Sequence, residues 1–229
     1  MPTGSRSQAG SSTIKPFIDP LPYRFGLALR RCADYWFLMT AIEEKKRTSR
    51  SPAPYPLSVE AYHVLGELGY LPEKTELVNG LVYAKMPESP LHALLFMRLL
   101  GLLQKCVASG THVRPEKQIR CRSSEPVSDL AVVRGSIEDY AAGHPRSAEL
   151  IIEVCVTSHD YDRSKLRDYA EAAVKEVWLV LAPEKQIEVH RHSSGDQFRE
   201  RVLRGPGGHL VSEALPQFTV ELDSLFKEV

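Results

Sequence analysis

Residues 128–133 read SDLAVV and residues 150–172 read LIIEVCVTSHDYDRSKLRDYAEA. The two apolar runs are short and continuous, as expected of strands inside a sheet, and the residues after Asp160 take on helical spacing. Asp129 stands at the mouth of the first run and Glu153 in the middle of the second, with Lys165 twelve residues further on. A carboxylate inside Ile151-Ile152-Glu153-Val154 is costly to bury unless something charged meets it. Two strand-borne carboxylates and a lysine at one sheet edge point to a divalent-cation site acting on a phosphodiester. A structural ion pair between Glu153 and Lys165 explains the same spacing equally well.

Working outward, the pattern predicts an α/β fold: a mixed β-sheet flanked by helices. Ser58 is the expected N-cap of a helix running to Leu68, with Gly69 as its stop. Thr75–Val78 and Leu81–Lys85 flank Asn79-Gly80, the strongest short hairpin signal, because both turn positions need positive φ. Ser89-Pro90 opens the main helix, expected to be buried on most sides and to run to Gly110. Strands are expected at 111–121, 129–133, 148–156 and 176–181, with one helix over 160–174. Gln186–His192 alternates like an edge strand and pairs with Phe198–Leu203, while Leu215, Phe218, Val220, Leu222 and Phe226 anchor the C-terminal segment. Residues 57–229 form the domain. Residues 1–56 read as a flexible extension, with a short helix over 23–39 and translation from Met39 as its plainest explanation.

Net charge is zero over 229 residues, yet residues 1–50 carry nine Lys/Arg against four Asp/Glu. The remainder is therefore −5, twenty basic against twenty-five acidic residues. That excludes a broad nonspecific DNA-binding surface but not a small site where a metal supplies the positive charge. The four cysteines lack CxxC or His/Cys ligand spacing and read as reduced thiols of a cytoplasmic protein. No run suits a membrane span: Phe25–Ile42 and Pro90–Val107 are both interrupted by charge.

Several motifs in order resemble the Uma-type restriction endonuclease family, within the PD-(D/E)XK nuclease-like superfamily. They are Glu76-Leu77-Val78-Asn79-Gly80, Ser89-Pro90-Leu91-His92, Asp129–Val133, Leu150–Val154, Asp162 to Lys165 to Tyr169, Glu176-Val177-Trp178 and Ala214-Leu215-Pro216. The resemblance implies a restriction-endonuclease-like core with Asp129 and Glu153 as metal ligands. It makes Lys165 the active-site lysine, moved onto the following helix from the position held here by Cys155. By the same resemblance Glu76 would be the additional acidic residue and His92 would lie near the site. The chain departs from the pattern at Ser128, Asn79 and Leu81, where proline and two acidic residues are usual. Taken alone, Glu76 reads as a solvated strand residue, Asp162 as first-turn chemistry, Tyr169 as packing on the lysine stem, and His190 with His192 as an exposed pair.

The function expected is metal-dependent hydrolysis of phosphodiester bonds, in DNA, with magnesium or manganese as the hard cation that carboxylates favour. Asp129, Glu153 and Lys165 carry it, helped by Glu76 and His92. The resemblance also allows a homodimer. The alternatives are a nuclease-fold module that binds without cutting, and a hydrolase of small phosphoesters.

Overall fold

The structure is a computed structural model that describes residues 53–157 and 159–229. Residues 1–52 of the N-terminal extension, including Met39 and the segment 23–39 expected to be helical, lie outside the described residues. The first element is helix α1, Val59–Glu67, where Ser58 Oγ accepts from the Ala61 N–H at 3.1 Å. Strands β1 (Thr75–Val78) and β2 (Leu81–Ala84) follow as an antiparallel hairpin. Its turn residues Asn79 and Gly80 have φ of 51° and 74°. A Cβ on Gly80 would stand 2.4 Å from that of Pro56, so glycine is needed for space as well as for φ.

Helix α2, Pro90–Cys106, starts at the Ser89 cap, whose hydroxyl accepts from the His92 N–H at 3.2 Å. Leu95, Phe96, Leu99 and Leu103 are its buried stripe. Met97 is 61% exposed and Leu94 39%, so the helix is buried along one face only. The expectation of burial on most sides fails because apolar identity does not report whether a second layer covers the helix.

The main sheet has six strands in the order β3-β4-β5-β6-β7-β8. They are β3 (Thr111–Gln118), β4 (Val127–Arg134), β5 (Leu150–Cys155), β6 (Glu176–Leu181), β7 (Gln186–Ser194) and β8 (Gln197–Arg204). Only β5 and β6 pair in parallel; every other neighbour is antiparallel. A parallel pair needs a crossover connection. Here it is helices α3 (His159–Ser164) and α4 (Leu166–Glu171), separated at Lys165. The expected single helix over 160–174 is thus two short ones, with Lys165 at the break.

Side chains of successive strand residues point to opposite faces, and this chain divides accordingly. Leu130, Val132, Ile152, Val154, Trp178 and Val180 pack under α2. Ala131, Val133, Ile151, Cys155, Val177 and Leu179 pack with Tyr169 of α4 on the other side. The C-terminal segment closes the first core through Phe218, Val220, Leu222 and Phe226, and Trp178 stacks on Phe218 with centroids 5.1 Å apart. That segment also holds a small sheet of β9 (His209–Val211) and β10 (Thr219–Glu221), then helix α5, Leu222–Leu225. The little sheet was not among the expected elements.

Three further expectations are corrected. The strand over 111–121 ends at Gln118, and residues 119–126 turn back through the Ile119 N–H to the Pro126 carbonyl. Strand β7 is internal, since β8 forms the sheet edge. His190 is therefore buried, with Nε2 2.7 Å from Glu188 Oε1, and is not half of an exposed pair.

Candidate active site

The β4–β5 pairing of Leu130 with Ile152 brings Asp129 level with Glu153 one step along. Backbone groups lock the two acids together. The Asp129 N–H donates to Glu153 Oε2 at 3.1 Å, and the Val154 N–H donates to Asp129 Oδ2 at 2.7 Å. From the first turn of α2, His92 Nε2 reaches the same Oδ2 at 3.0 Å. Asp129 thus takes its hydrogen bonds through Oδ2, leaving Oδ1 without a partner among the described residues.

Lys165 comes from the far side of the crossover and is 3% exposed. Its Nζ lies 3.2 Å from Glu76 Oε2, 3.5 Å from Glu153 Oε1 and 4.0 Å from Asp162 Oδ1, and it donates to the Val127 carbonyl at 3.2 Å. Glu76 Oε2 in turn accepts from the Val127 N–H at 2.9 Å. The hairpin is thereby tied to the start of β4 and to the lysine at once. All five residues singled out from the sequence border one cavity of about 530 Å³.

Electrostatics at this floor are set by burial working against charge. Burial pushes the Glu153 carboxyl up to about 8; Lys165 opposes the rise, while Asp129 and Asp162 add to it. Burial also resists the charge on Lys165, but Glu153, Glu76 and Asp162 outweigh it and hold the ammonium charged. Asp129 lies below the ordinary carboxylate value: burial opposes ionisation, yet the bond and charge of His92 and the Val154 N–H prevail. His92 responds reciprocally. Burial opposes its charge, and Asp129 and Glu88 raise its pKa above the usual histidine value.

Sequence reasoning gave two side chains here only a bland role, Tyr169 and Asp162, and missed two others, Tyr161 and Glu88. Tyr169, fully buried, donates its hydroxyl to Glu153 Oε1 at 2.6 Å rather than only packing on the lysine stem. Asp162 lines the cavity and faces Lys165 and Cys155. The Tyr161 ring lies 5.1 Å from Lys165 Nζ, and Glu88 Oε2 lies 3.4 Å from His92 Nδ1. Spacing of one helical turn relates all four to residues already singled out: Tyr169 at i+4, Asp162 at i−3 and Tyr161 at i−4 from Lys165, and Glu88 at i−4 from His92. The family departures fall elsewhere, since Asn79 and Ser128 border no part of the cavity. Ser128, buried, donates to the Lys117 carbonyl at 3.2 Å.

A metal fits this donor set on chemical grounds. Two hard carboxylates stand locked side by side, one with a free oxygen, the other buried and short of positive charge. A different trio, His192, Glu200 and Glu213, lies close enough to share an ion. It is solvent-facing, and Arg191 already stands 3.7 Å from Glu213 and 4.0 Å from Glu200. It reads as a surface ion-pair cluster.

Among solved structures the fold is similar to one described as the "crystal structure of a putative nuclease belonging to DUF820 from Anabaena variabilis ATCC 29413". The TM-score is 0.60 at 17% identity, covering 71% of this chain and 96% of that one. No curated protein matches the chain. The six-stranded mixed sheet with its flanking helices is the restriction-endonuclease-like fold. A family model described as "Putative restriction endonuclease" matches residues 60–223, nearly all of the described fold, and the chain belongs to that family, Uma2.

Proposed function

We propose that the protein is a metal-dependent nuclease that hydrolyses phosphodiester bonds in DNA, using Asp129, Glu153 and Lys165 with Glu76 and His92 in support. The observation that carries this reading is the convergence of two carboxylates and a buried lysine, from three separate elements, on the floor of one open cavity. Magnesium or manganese, held by Asp129 and Glu153, would supply Lewis acidity at the scissile phosphate. Everything else falls to the chain's own groups. Lys165, kept charged by Glu153 and Glu76, positions the attacking water or pairs with the phosphate oxygen as negative charge builds. His92 fixes the orientation of Asp129 through Oδ2, so that the free Oδ1 keeps one direction. Tyr169 and the Asp129 N–H hold the two oxygens of Glu153 in the same way.

The test is cleavage of single- and double-stranded DNA by the purified full chain with magnesium or manganese. Glu153→Ala and Asp129→Asn are each expected to lose about a thousandfold or more in kcat/KM, several kcal/mol of transition-state stabilisation. Full activity in Glu153→Ala sinks the reading, as does inactivity of the wild type on every DNA and RNA substrate. A non-cutting nuclease-fold module is the second reading, favoured by the −5 balance of residues 51–229. Calorimetry separates the two, because the catalytic reading requires manganese binding that Asp129→Asn abolishes.

A further inference from the structure

Two aromatic rings, Tyr83 and Tyr161, line the cavity alongside the carboxylates. Tyr83 lies directly across the hairpin from Glu76 in the β1–β2 register, and opposed residues of an antiparallel pair share a face. Its ring therefore stands one cross-strand step from the acid that holds Lys165. Tyr83 is 37% exposed, and Tyr161 braces it with centroids 5.0 Å apart and planes inclined at 58°. Beyond Tyr83 the lip continues with Met86, 81% exposed. Tyr161 has its own ring against the Lys165 ammonium, which makes Tyr83 the ring free to meet a ligand.

Charge in the cavity points away from duplex recognition. Five carboxylates line it against two lysines, and one of those, Lys165, is already committed to Glu76. Duplex binding draws on a track of phosphate contacts, which a domain of charge −5 does not provide. Recognition of a single strand adds base stacking to its phosphate contacts, and stacking contributes on the order of 1–3 kcal/mol per base. The volume of about 530 Å³ suits one nucleotide unit dipping to a floor where Glu153 is 1% and Lys165 3% exposed.

Resting on the phosphodiester reading above, we infer that the substrate is an unpaired DNA strand and that the base beside the scissile phosphate stacks on Tyr83. The strand enters between the aromatic lip and the carboxylates, the base is held by the ring, and its phosphate reaches the site of Lys165.

The experiment uses the full chain with manganese and three DNA substrates: a single-stranded oligonucleotide, its blunt duplex, and a single strand of abasic residues. The single strand is expected to be cut at least about tenfold faster, by kcat/KM, than the duplex. In Tyr83→Ala the ratio of base-bearing to abasic cleavage is expected to fall about tenfold, the loss of one stacked base, and Tyr83→Trp is expected to restore it. Equal or faster cutting of the duplex overturns the inference, and so does an unchanged ratio in Tyr83→Ala. Hydrolysis of bis(4-nitrophenyl) phosphate, abolished by Glu153→Ala, keeps the two readings apart. If it persists while the single strand shows no advantage, stacking falls and the reaction stands. If nothing is hydrolysed, anisotropy with a labelled single strand and calcium decides: binding weakened by Tyr83→Ala supports the stacking surface while the reaction falls, and no binding sinks both.

Discussion

Two buried glutamates, Glu153 and Glu188, are each about 1% exposed and live under opposite electrostatic regimes. Glu188 on β7 receives three cationic or hydrogen-bonding partners: Arg201 at 2.6 Å, His190 at 2.7 Å and Arg163 at 2.8 Å. These overcome burial and hold its carboxyl down to about 2. Glu153 has one lysine, shared with Glu76, at 3.5 Å, together with a tyrosine hydroxyl and a backbone N–H. Burial, with the like charges of Asp129 and Asp162 adding to it, pushes its carboxyl up to about 8. Burial alone does not distinguish a structural acid from a chemical one. The distinguishing feature is whether the surroundings complete the charge balance or leave room for another cation.

The sharpest break of this comparison is in stability. Glu188→Gln is expected to cost about 2 kcal/mol in urea unfolding, because it strands the guanidiniums of Arg163 and Arg201. Arg201 is largely solvent-exposed, which keeps the cost below that of a fully buried pair. Glu153→Gln is expected to leave stability near neutral pH unchanged or higher, since the wild-type carboxyl resists ionisation there. A loss in Glu153→Gln as large as in Glu188→Gln would erase the distinction.

Dependence on pH has opposite sign at the two sites. Glu188, lowered from 4.5 to about 2, contributes stability that is complete above 4.5 and lost as pH falls toward 2. Glu153, raised from 4.5 to about 8, contributes stability that is complete below 4.5 and lost as pH rises toward 8. Chemical unfolding across pH 2–9 is expected to lose its acid limb in Glu188→Gln and to flatten between 4.5 and 8 in Glu153→Gln. Tyr169→Phe sharpens the picture on a smaller scale: about 1–2 kcal/mol for a buried acceptor left with fewer donors, and weaker manganese binding by calorimetry. The smallest effect belongs to the surface cluster. His192→Ala is expected to change stability by less than about 0.5 kcal/mol and to leave manganese binding intact; loss of manganese binding there would make His192, Glu200 and Glu213 a metal site in their own right.

Legibility followed the range of the interactions involved. Asn79-Gly80, Ser58 and Ser89-Pro90 announced a turn and two helix starts because each works through bonds within four residues. The continuous apolar run Leu150–Cys155 marked a strand inside the sheet, and Ile151 and Ile152 do enter different cores. The burial of His190 was invisible, because it depends on β8 taking the edge beyond β7. Exposure of Met97 was equally hidden, since no residue near it in sequence says what covers α2. At the candidate site, spacing left the Glu153–Lys165 pair ambiguous between structure and chemistry. Geometry adds that Lys165 is also tied to Glu76 and that Asp129 keeps one oxygen free.

The order of amino acids by itself determined where most of the strands and helices form and which acids and lysine stand in suspicious company. Tertiary structure alone decided that Tyr169 grips Glu153, that Tyr161 lies against both Tyr83 and the lysine, and that the helix after β5 breaks at Lys165. Local periodicity is a property of one segment, whereas these contacts exist only once distant segments pack against a common sheet and the lysine between them is withdrawn from water.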